Sequence, residues 1–193
     1  MQKKMLTALF SSAARVAVLR VFMLDPTRAY YQRQLAAATD LPIRAVQREL
    51  ERMASIALLY RRLEGNRAYY QVDTDFLLFP ELRAMILKSV GPVERLRGVL
   101  AMVGELRLAF LAGDGERVLL VGPEEAATPP QTPPQFLLEH MDVATFRQGL
   151  DERAALLEPF LIHGADLFGR RDDVIWRRIE AAGYSVPKGA GVP

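Results

Sequence analysis

The stretch from Gln32 to Met53, QRQLAAATDLPIRAVQRELERM, limits the possible folds of this chain more than any other feature. It predicts two short helices, the first over 30–38, that meet at the corner Thr39-Asp40-Leu41-Pro42, because proline suits the first turn of a helix. Further along, Gly65-Asn66 separates two strand-like runs and predicts a hairpin with a tight turn. Two helices at a corner, followed by a basic hairpin, form the element order of a winged helix-turn-helix.

The second helix of this pair, predicted over 43–56, has one apolar stripe and one polar face. The stripe repeats at intervals of three and four residues and contains Ile43, Val46, Leu50, Met53 and Ala57. The spacing places Arg44, Gln47 and Arg48 on the outer face, with Arg52 one turn further on. Arginine can donate two hydrogen bonds to guanine and glutamine can pair with adenine. We therefore predict that this helix reads bases in the major groove.

The hairpin over 59–72 is predicted to be the wing. Its tip carries Arg61, Arg62, Asn66 and Arg67, which we expect on backbone phosphates or in the minor groove. Weaker phosphate candidates lie on the first helix of the pair and at the corner: Gln32, Arg33 and Thr39. The neighbouring tyrosines, Tyr30, Tyr31, Tyr69 and Tyr70, are interpreted as packing residues.

A structural alternative exists for both sets of basic residues. The helix arginines could form a solvated face that pairs with Glu49, Glu51 or Glu64. The hairpin arginines could protect a solvated edge strand from association. The corner before the helix and the hairpin behind it favour the DNA-binding interpretation.

Composition excludes several classes of protein. The chain has no cysteine and two histidines, so disulfide scaffolds and thiolate or imidazole-rich metal sites are not expected. No apolar run reaches membrane-spanning length, and the N-terminal segment reads as neither a signal peptide nor an anchor. Residues 1–90 hold 14 Lys/Arg against 8 Asp/Glu, whereas residues 91–193 hold 11 against 15. This charge asymmetry is consistent with a first half that contacts the phosphates of a nucleic acid and a second half that does not.

The domain organisation follows from breaks in the pattern. Ser11-Ser12 is predicted to cap the first apolar helix. A later helix over 80–90 ends at Gly91-Pro92, where we place the boundary between a DNA-binding domain, 1–91, and a small α+β domain, 92–193. The second domain is predicted to open with a helix over 93–103 and to contain strands at 106–111, 117–121 and 136–141. Helices are predicted over 143–150, 152–163 and 172–182, followed by a frayed tail from Tyr184. A proline-rich loop over 123–135 interrupts this domain. The fold class is therefore α+β throughout.

The front half resembles the ArsR-like winged-helix regulators over about residues 9–91, most specifically in the wing sequence EGNRAYY. Metal-sensing members of that group use cysteine or histidine clusters, which this chain lacks. The back half resembles the minimal nucleotidyltransferase domain that follows the winged helix in some of these proteins. The similarity lies in VERLRGVLAMVGELRLAFLAG, in VLLVG and in MDVATFRQGL.

The resemblance to a nucleotidyltransferase does not extend to its catalytic residues. Members of that family carry a Gly-Ser turn and a strand with two metal-binding aspartates, but here the turn is reduced to Gly113-Asp114-Gly115. Gly115 and Arg117 stand where the aspartates would be. Carboxylates are needed to hold the divalent metal, so the back half is interpreted as a degenerate scaffold rather than an enzyme.

These observations predict a sequence-specific regulator of transcription that binds double-stranded DNA, acts as a homodimer, and needs no cofactor or metal. It is expected in the cytoplasm, associated with the nucleoid, without contact to a membrane. Two other functions stay open. One is a nucleoid or DNA-maintenance protein without sequence preference. The other is a nucleotidyltransferase or a toxin–antitoxin component. We treat Asp172-Asp173 as a solvated helix start, and His140 and His163 as structural.

Overall fold

The computed structural model describes residues 2–123, 129, 131–189 and 192. It divides the chain into two units, Met1–Met102 and Val103–Val192, and each unit has its own hydrophobic core. Helices and strands occur in both units, so the α+β class is confirmed.

The first unit is mainly helical and carries a small antiparallel sheet with strand order β1-β3-β2. Its elements are α1 (Gln2–Phe10), α2 (Ala13–Leu24), β1 (Tyr30–Tyr31), α3 (Gln32–Thr39), α4 (Ile43–Ser55), β2 (Leu59–Glu64), β3 (Arg67–Val72), α5 (Phe79–Ser89) and α6 (Pro92–Leu100).

Helix α2 lies in the centre of this unit. The hydroxyl of Ser12 accepts a hydrogen bond from the backbone N–H of Arg15 at 3.1 Å and caps the helix, as the sequence predicts. Its apolar residues are buried against α3, α4 and α5. Tyr30 follows in β1 rather than in a helix, because its ring is buried edge-on against Phe22. The pairing of β1 with β3 delays the start of α3 to Gln32.

The apolar stripe of α4 is narrower than predicted. Val46, Leu50 and Met53 are buried, but Ile43 is 40% exposed at the first position of the helix. Ala57 is exposed as well, because α4 ends at Ser55 and Ala57 turns the chain with a φ of 60°. The hairpin that follows has the predicted two-residue turn, with Glu64 opposite Arg67.

The boundary between the units falls after Met102, not at Gly91-Pro92. Pro92 begins α6 instead of ending the domain, and α6 packs on α2 and α5. Gly98 makes this close approach possible, since a Cβ there would lie 2.6 Å from Leu87 Cδ2. Arg95 fixes the same contact by donating to the carbonyl of Leu87 at 2.9 Å.

The second unit is a mixed four-stranded sheet with helices, in the strand order β6-β5-β4-β7. Its elements are β4 (Leu108–Leu111), β5 (Arg117–Val121), β6 (Leu137–Met141), α7 (Val143–Asp151), a 3₁₀ turn (Ala155–Leu157), α8 (Glu158–Leu161), β7 (Ala165–Asp166) and α9 (Val174–Ala181). Strands β5 and β6 run parallel, and the other pairs are antiparallel. The predicted proline-rich loop joins β5 to β6, and its residues 124–128 and 130 lie outside the described residues.

A continuous helix over 152–163 was predicted here and is wrong. Arg153 has a φ of 50°, which ends α7, and the chain resumes with the 3₁₀ turn and the short α8. Gly164 then turns the chain tightly, and β7 pairs with β4. The sequence pattern did not predict β7. The tail is also more ordered than expected, because Lys188 bridges to Asp166.

Candidate nucleic-acid interface

Helices α3 and α4 meet at the corner predicted from the sequence. Asp40 adopts the left-handed conformation with a φ of 54°, and the N–H of Leu41 bonds to the carbonyl of Ala36. Pro42 is the N-cap residue of α4, which begins at Ile43. This corner sets the direction of α4 and therefore the direction of its outer face.

The outer face of α4 exposes Arg44 and Arg48, which are one helical turn apart. Within the described part of the chain, no ion pair or hydrogen bond joins either guanidinium to another side chain. Gln47 lies between them and is half-buried. Two guanidiniums that are unpaired among the described side chains therefore lie on one face, with an amide beside them.

Arg52 behaves differently from these two arginines. It donates to the carboxylate of Glu49 at 3.3 Å, and Glu49 is 5% exposed. The same carboxylate accepts hydrogen bonds from Arg15 at 3.0 Å and from the hydroxyl of Ser12 at 3.2 Å. The alternative of a helix arginine paired with glutamate thus applies to Arg52, whose partner Glu49 lies in the same helix. Arg15, which lies in α2, ties this glutamate and therefore α4 to α2.

The hairpin places its arginines on two faces. Side chains alternate along a strand, and the strand register puts Arg62 opposite Tyr69 and Arg61 opposite the buried Tyr70. Arg62 and Arg67 therefore share one face, and Arg61 projects from the other. Arg62 pairs with the exposed Glu64 at 2.8 Å, and such exposed pairs contribute little to stability.

Tyr31 holds Arg67 in place. The guanidinium of Arg67 lies 5.1 Å above the centre of the Tyr31 ring, which in turn meets the Tyr69 ring edge-on at 5.8 Å. Tyr30 and Tyr70 are buried, as the packing interpretation predicts. The role of Tyr31 as a support for a guanidinium was not predicted, because it depends on a three-strand register.

A cleft of about 490 Å³ opens between the start of α3, the start of α4 and the hairpin turn. The start of α3 and the hairpin each contribute one guanidinium and one side-chain amide to its lining, and no acidic residue is among the described lining residues. Its lining residues are Tyr31, Gln32, Arg33, Ile43, Asn66, Arg67 and Ala68. The exposure of Ile43 follows from this position, since its side chain faces the cleft rather than the core.

The structure brings four of the seven predicted phosphate candidates together in the cleft, whereas Arg61, Arg62 and Thr39 are not among its lining residues. Gln32, Arg33, Asn66 and Arg67 line the cleft. Thr39 lies at the opposite end of α3, about 10 Å along the helix axis. Its hydroxyl donates to the carbonyl of Leu35 at 2.6 Å, so the helix itself uses the donor.

Gln47 and Gln32 form a contact that links the two helices. The side-chain N–H of Gln47 donates to the side-chain oxygen of Gln32 at 2.9 Å. Each residue was a separate candidate in the sequence, one for bases and one for phosphate. Their pairing was not predicted, because it depends on the angle between α3 and α4.

The turn at Gly113-Asp114-Gly115 in the second unit is part of an ionic cluster. Arg117 donates to Asp114 at 2.8 Å and lies 3.9 Å from Glu139. Hydrogen bonds from the Arg117 side chain, and from the backbone N–H groups of Glu116 and Arg117, lower the pKa of Asp114 to about 2. The guanidinium stands between the two carboxylates at this turn.

Two other polar sites of the second unit have structural partners. Asp173 caps α9 and binds Arg107 through two hydrogen bonds, so it is a helix start as predicted but also an ion-pair partner. Among the described residues, no group of three or more histidines and carboxylates has a geometry that could hold a metal ion. In the same residues, no helix is both long and apolar enough to cross a bilayer.

Comparisons of the chain with protein-family models, with curated proteins and with solved structures find no significant match.

Proposed function

We propose that the first unit is a winged helix-turn-helix that binds double-stranded DNA, with α4 in the major groove and the β2–β3 hairpin on the backbone or in the minor groove. One observation carries the proposal. The face of α4 with Arg44 and Arg48 is exposed and, in the described residues, has no acidic partner. It adjoins a cleft with two more arginines.

The dimensions of the helix fit this role. An α-helix with its side chains is about 10–12 Å wide, and the major groove of B-DNA is about 12 Å wide. A helix that enters the groove brings the guanidiniums of Arg44 and Arg48 to the base edges. Each bidentate contact to a base contributes roughly 1–3 kcal/mol of discrimination against a wrong base.

The cleft and the hairpin supply contacts of another kind. Arg33 and Arg67 face the cleft, and Arg61 and Arg62 lie on the hairpin. Guanidiniums at these positions would neutralise backbone phosphates, which fixes the register of the protein but reads no sequence. Arg67 is well suited to this role, because the Tyr31 ring already restricts its side chain.

Salt dependence tests the DNA-binding proposal directly. Each phosphate contact contributes about −0.9 to the slope of log K against log salt concentration. We expect Arg33→Ala with Arg67→Ala to reduce the steepness of that slope by roughly 2 in fluorescence anisotropy with a labelled duplex.

A matched control removes the same charge from α9 of the second unit. Arg177→Ala with Arg178→Ala deletes two exposed cations there and should leave the slope unchanged. Equal slopes for all three proteins, or no binding of duplex by the unmodified protein, would contradict the proposal.

We further propose that the protein regulates transcription as a homodimer. A single recognition helix reads only a few base pairs, and two-fold pairing of subunits doubles the length of the site. A DNA-maintenance protein without sequence preference would use the same arginines. Only the ratio of specific to non-specific affinity separates these two functions.

For the second unit we propose a nucleotidyltransferase-like scaffold without catalytic activity. The support is the position of Arg117, whose charge repels a divalent cation from Asp114 and Glu139. Metal-dependent transfer of a labelled nucleotide to any acceptor by the purified protein would contradict this proposal.

A further inference from the structure

The hydrogen bond between Gln47 and Gln32 restricts what Gln47 can recognise. A glutamine amide has two N–H donors and one carbonyl acceptor. One N–H of Gln47 is used by the side-chain oxygen of Gln32, at 2.9 Å. The remaining N–H and the oxygen of Gln47 are available to a ligand, and the bond to Gln32 restricts the orientation of the amide.

This remaining pair of groups matches one base edge. Adenine presents the N7 acceptor and the N6 donor side by side in the major groove, and a glutamine amide binds both at once. An amide that rotates freely must lose that freedom on binding, whereas the amide of Gln47 is held in advance. The bond to Gln32 also sets the direction in which the N–H₂ end of the Gln47 amide points.

Gln32 has a second connection, to the cleft. It lies in the cleft lining together with Arg33 and Arg67, and its own N–H₂ group is not used by the bond to Gln47. A backbone phosphate held by Arg33 and Arg67 in the cleft would lie close to the side-chain N–H₂ group of Gln32. Gln32 thus lies between the proposed phosphate cleft and the proposed base-reading residue.

We propose that Gln32 is a positioning residue that orients Gln47 to read an adenine, and that it couples this reading to a phosphate in the cleft. The proposal rests on the DNA-binding function stated above. It assigns a base to Gln47 and a role to Gln32 that a simple phosphate contact would not have.

The test uses duplexes selected by affinity from a random pool. Each adenine of the selected site is replaced in turn by 7-deazaadenine, which lacks the N7 acceptor. Binding is measured for the unmodified full chain and for Gln47→Ala, Gln32→Ala and Gln32→Glu. Gln148→Ala serves as the control, because it removes an exposed glutamine amide with a side-chain partner, Glu152, in the second unit.

We expect one adenine at which the 7-deaza replacement weakens the unmodified protein about tenfold and leaves Gln47→Ala unchanged. Gln32→Ala should lose most of this discrimination at the same adenine. Gln32→Glu should retain it, because a carboxylate still accepts from Gln47. Its negative charge near the phosphate should weaken binding to all sequences alike. Gln148→Ala should behave as the unmodified protein.

Two results would overturn the assignment while leaving DNA binding intact. One is an unchanged preference in Gln32→Ala at the adenine that depends on Gln47. The other is a selected site in which no adenine depends on Gln47. If the unmodified protein selects no sequence at all, the base-reading function fails first, and the role of Gln32 fails with it.

Discussion

The three arginines of α4 are all exposed, and what separates Arg52 from Arg44 and Arg48 is its ion pair with Glu49. The buried carboxylate of Glu49 binds Arg15 and Arg52, and the bond to Arg15 fastens α4 to α2. Arg44 and Arg48 project away from this carboxylate and, in the described part of the chain, have no such partner. The sequence alone does not reveal this difference, because Arg44, Arg48 and Arg52 all lie outside the apolar stripe of α4. Arg44 and Arg48 are therefore the arginines of α4 on which the proposed base contacts depend.

Replacement of Arg44 and Arg48 by alanine should remove sequence preference first. We expect the double variant to bind its selected duplex roughly 100-fold more weakly, because two bidentate base contacts are lost. Binding to random duplex should fall far less, since the arginines of the cleft and hairpin remain. Competition assays with both duplexes measure the two affinities, and Arg177→Ala with Arg178→Ala is the charge-matched control. Equal losses on both duplexes would contradict a base-reading role.

The ionic cluster at the β4–β5 turn makes a prediction about pH. The pKa of Asp114 is about 2, chiefly because the Arg117 side chain binds its carboxylate. A lowered pKa stabilises the fold fully above the pKa of an unfolded aspartate. That contribution is lost as the pH falls from about 4 towards about 2. We expect Arg117→Ala to raise the pKa of Asp114 and to shorten this window, as followed by carboxyl carbon NMR. The same titration midpoint in both proteins would contradict the pairing.

At the scale of elements, local patterns predicted those segments whose signals lie close together in sequence. The cap at Ser12, the stripe of α4 and the Gly65-Asn66 turn each depend on a few neighbouring residues. The strand β1 depends on Tyr70 and Tyr69, which are some forty residues away. No period in the local sequence could therefore indicate it.

The helix predicted over 152–163 failed for a related reason. The apolar spacing there is helical, but Gly164 brings the chain against the backbone of two other elements. A Cβ at Gly164 would lie 2.3 Å from the carbonyl oxygen of Phe160 and 2.4 Å from that of Leu111. These contacts seat β7 beside β4, and that long-range pairing overrides the local preference for a longer helix.

Gly164→Ala should therefore destabilise the second unit. Because the neighbouring atoms are backbone, the strands must shift, and we expect a loss of about 1–3 kcal/mol or more in the free energy of unfolding. Gly104→Ala is the matched control, since no atom lies within 4 Å of its Cβ position and its φ is not positive. Urea unfolding of both variants measures the difference. Equal stabilities would show that the turn at Gly164 is looser than the structure indicates.

At the scale of the whole molecule, the sequence indicated the residues of the candidate interface better than their connections. Arg44, Arg48, Arg33 and Arg67 were all candidates, and their exposure agrees with that choice. Three contacts between separate elements were not predicted. They are the bond of Arg15 to Glu49, the contact of Arg67 with the Tyr31 ring, and the bond between Gln47 and Gln32. Such contacts depend on angles between helices and strands, which a periodic pattern does not contain.

The domain boundary shows the same limit. Gly91-Pro92 has the composition of a linker, yet Pro92 starts a helix that packs on the first unit. Proline suits both a break and a first helical turn, so only the packing of Gly98 on Leu87 distinguishes the two. Experiments on the isolated first unit should therefore extend to Met102.

Affinity selection of random duplex DNA on the purified full chain, with sequencing of the bound pool, is the most direct test of the central claim. We expect an enriched inverted repeat, because the two subunits of the proposed dimer would each place one α4 in the major groove. Half-sites should be separated by about 10 base pairs or a multiple of that distance. A bound pool without any enriched sequence, or no recovery of duplex above background, would contradict a sequence-reading regulator.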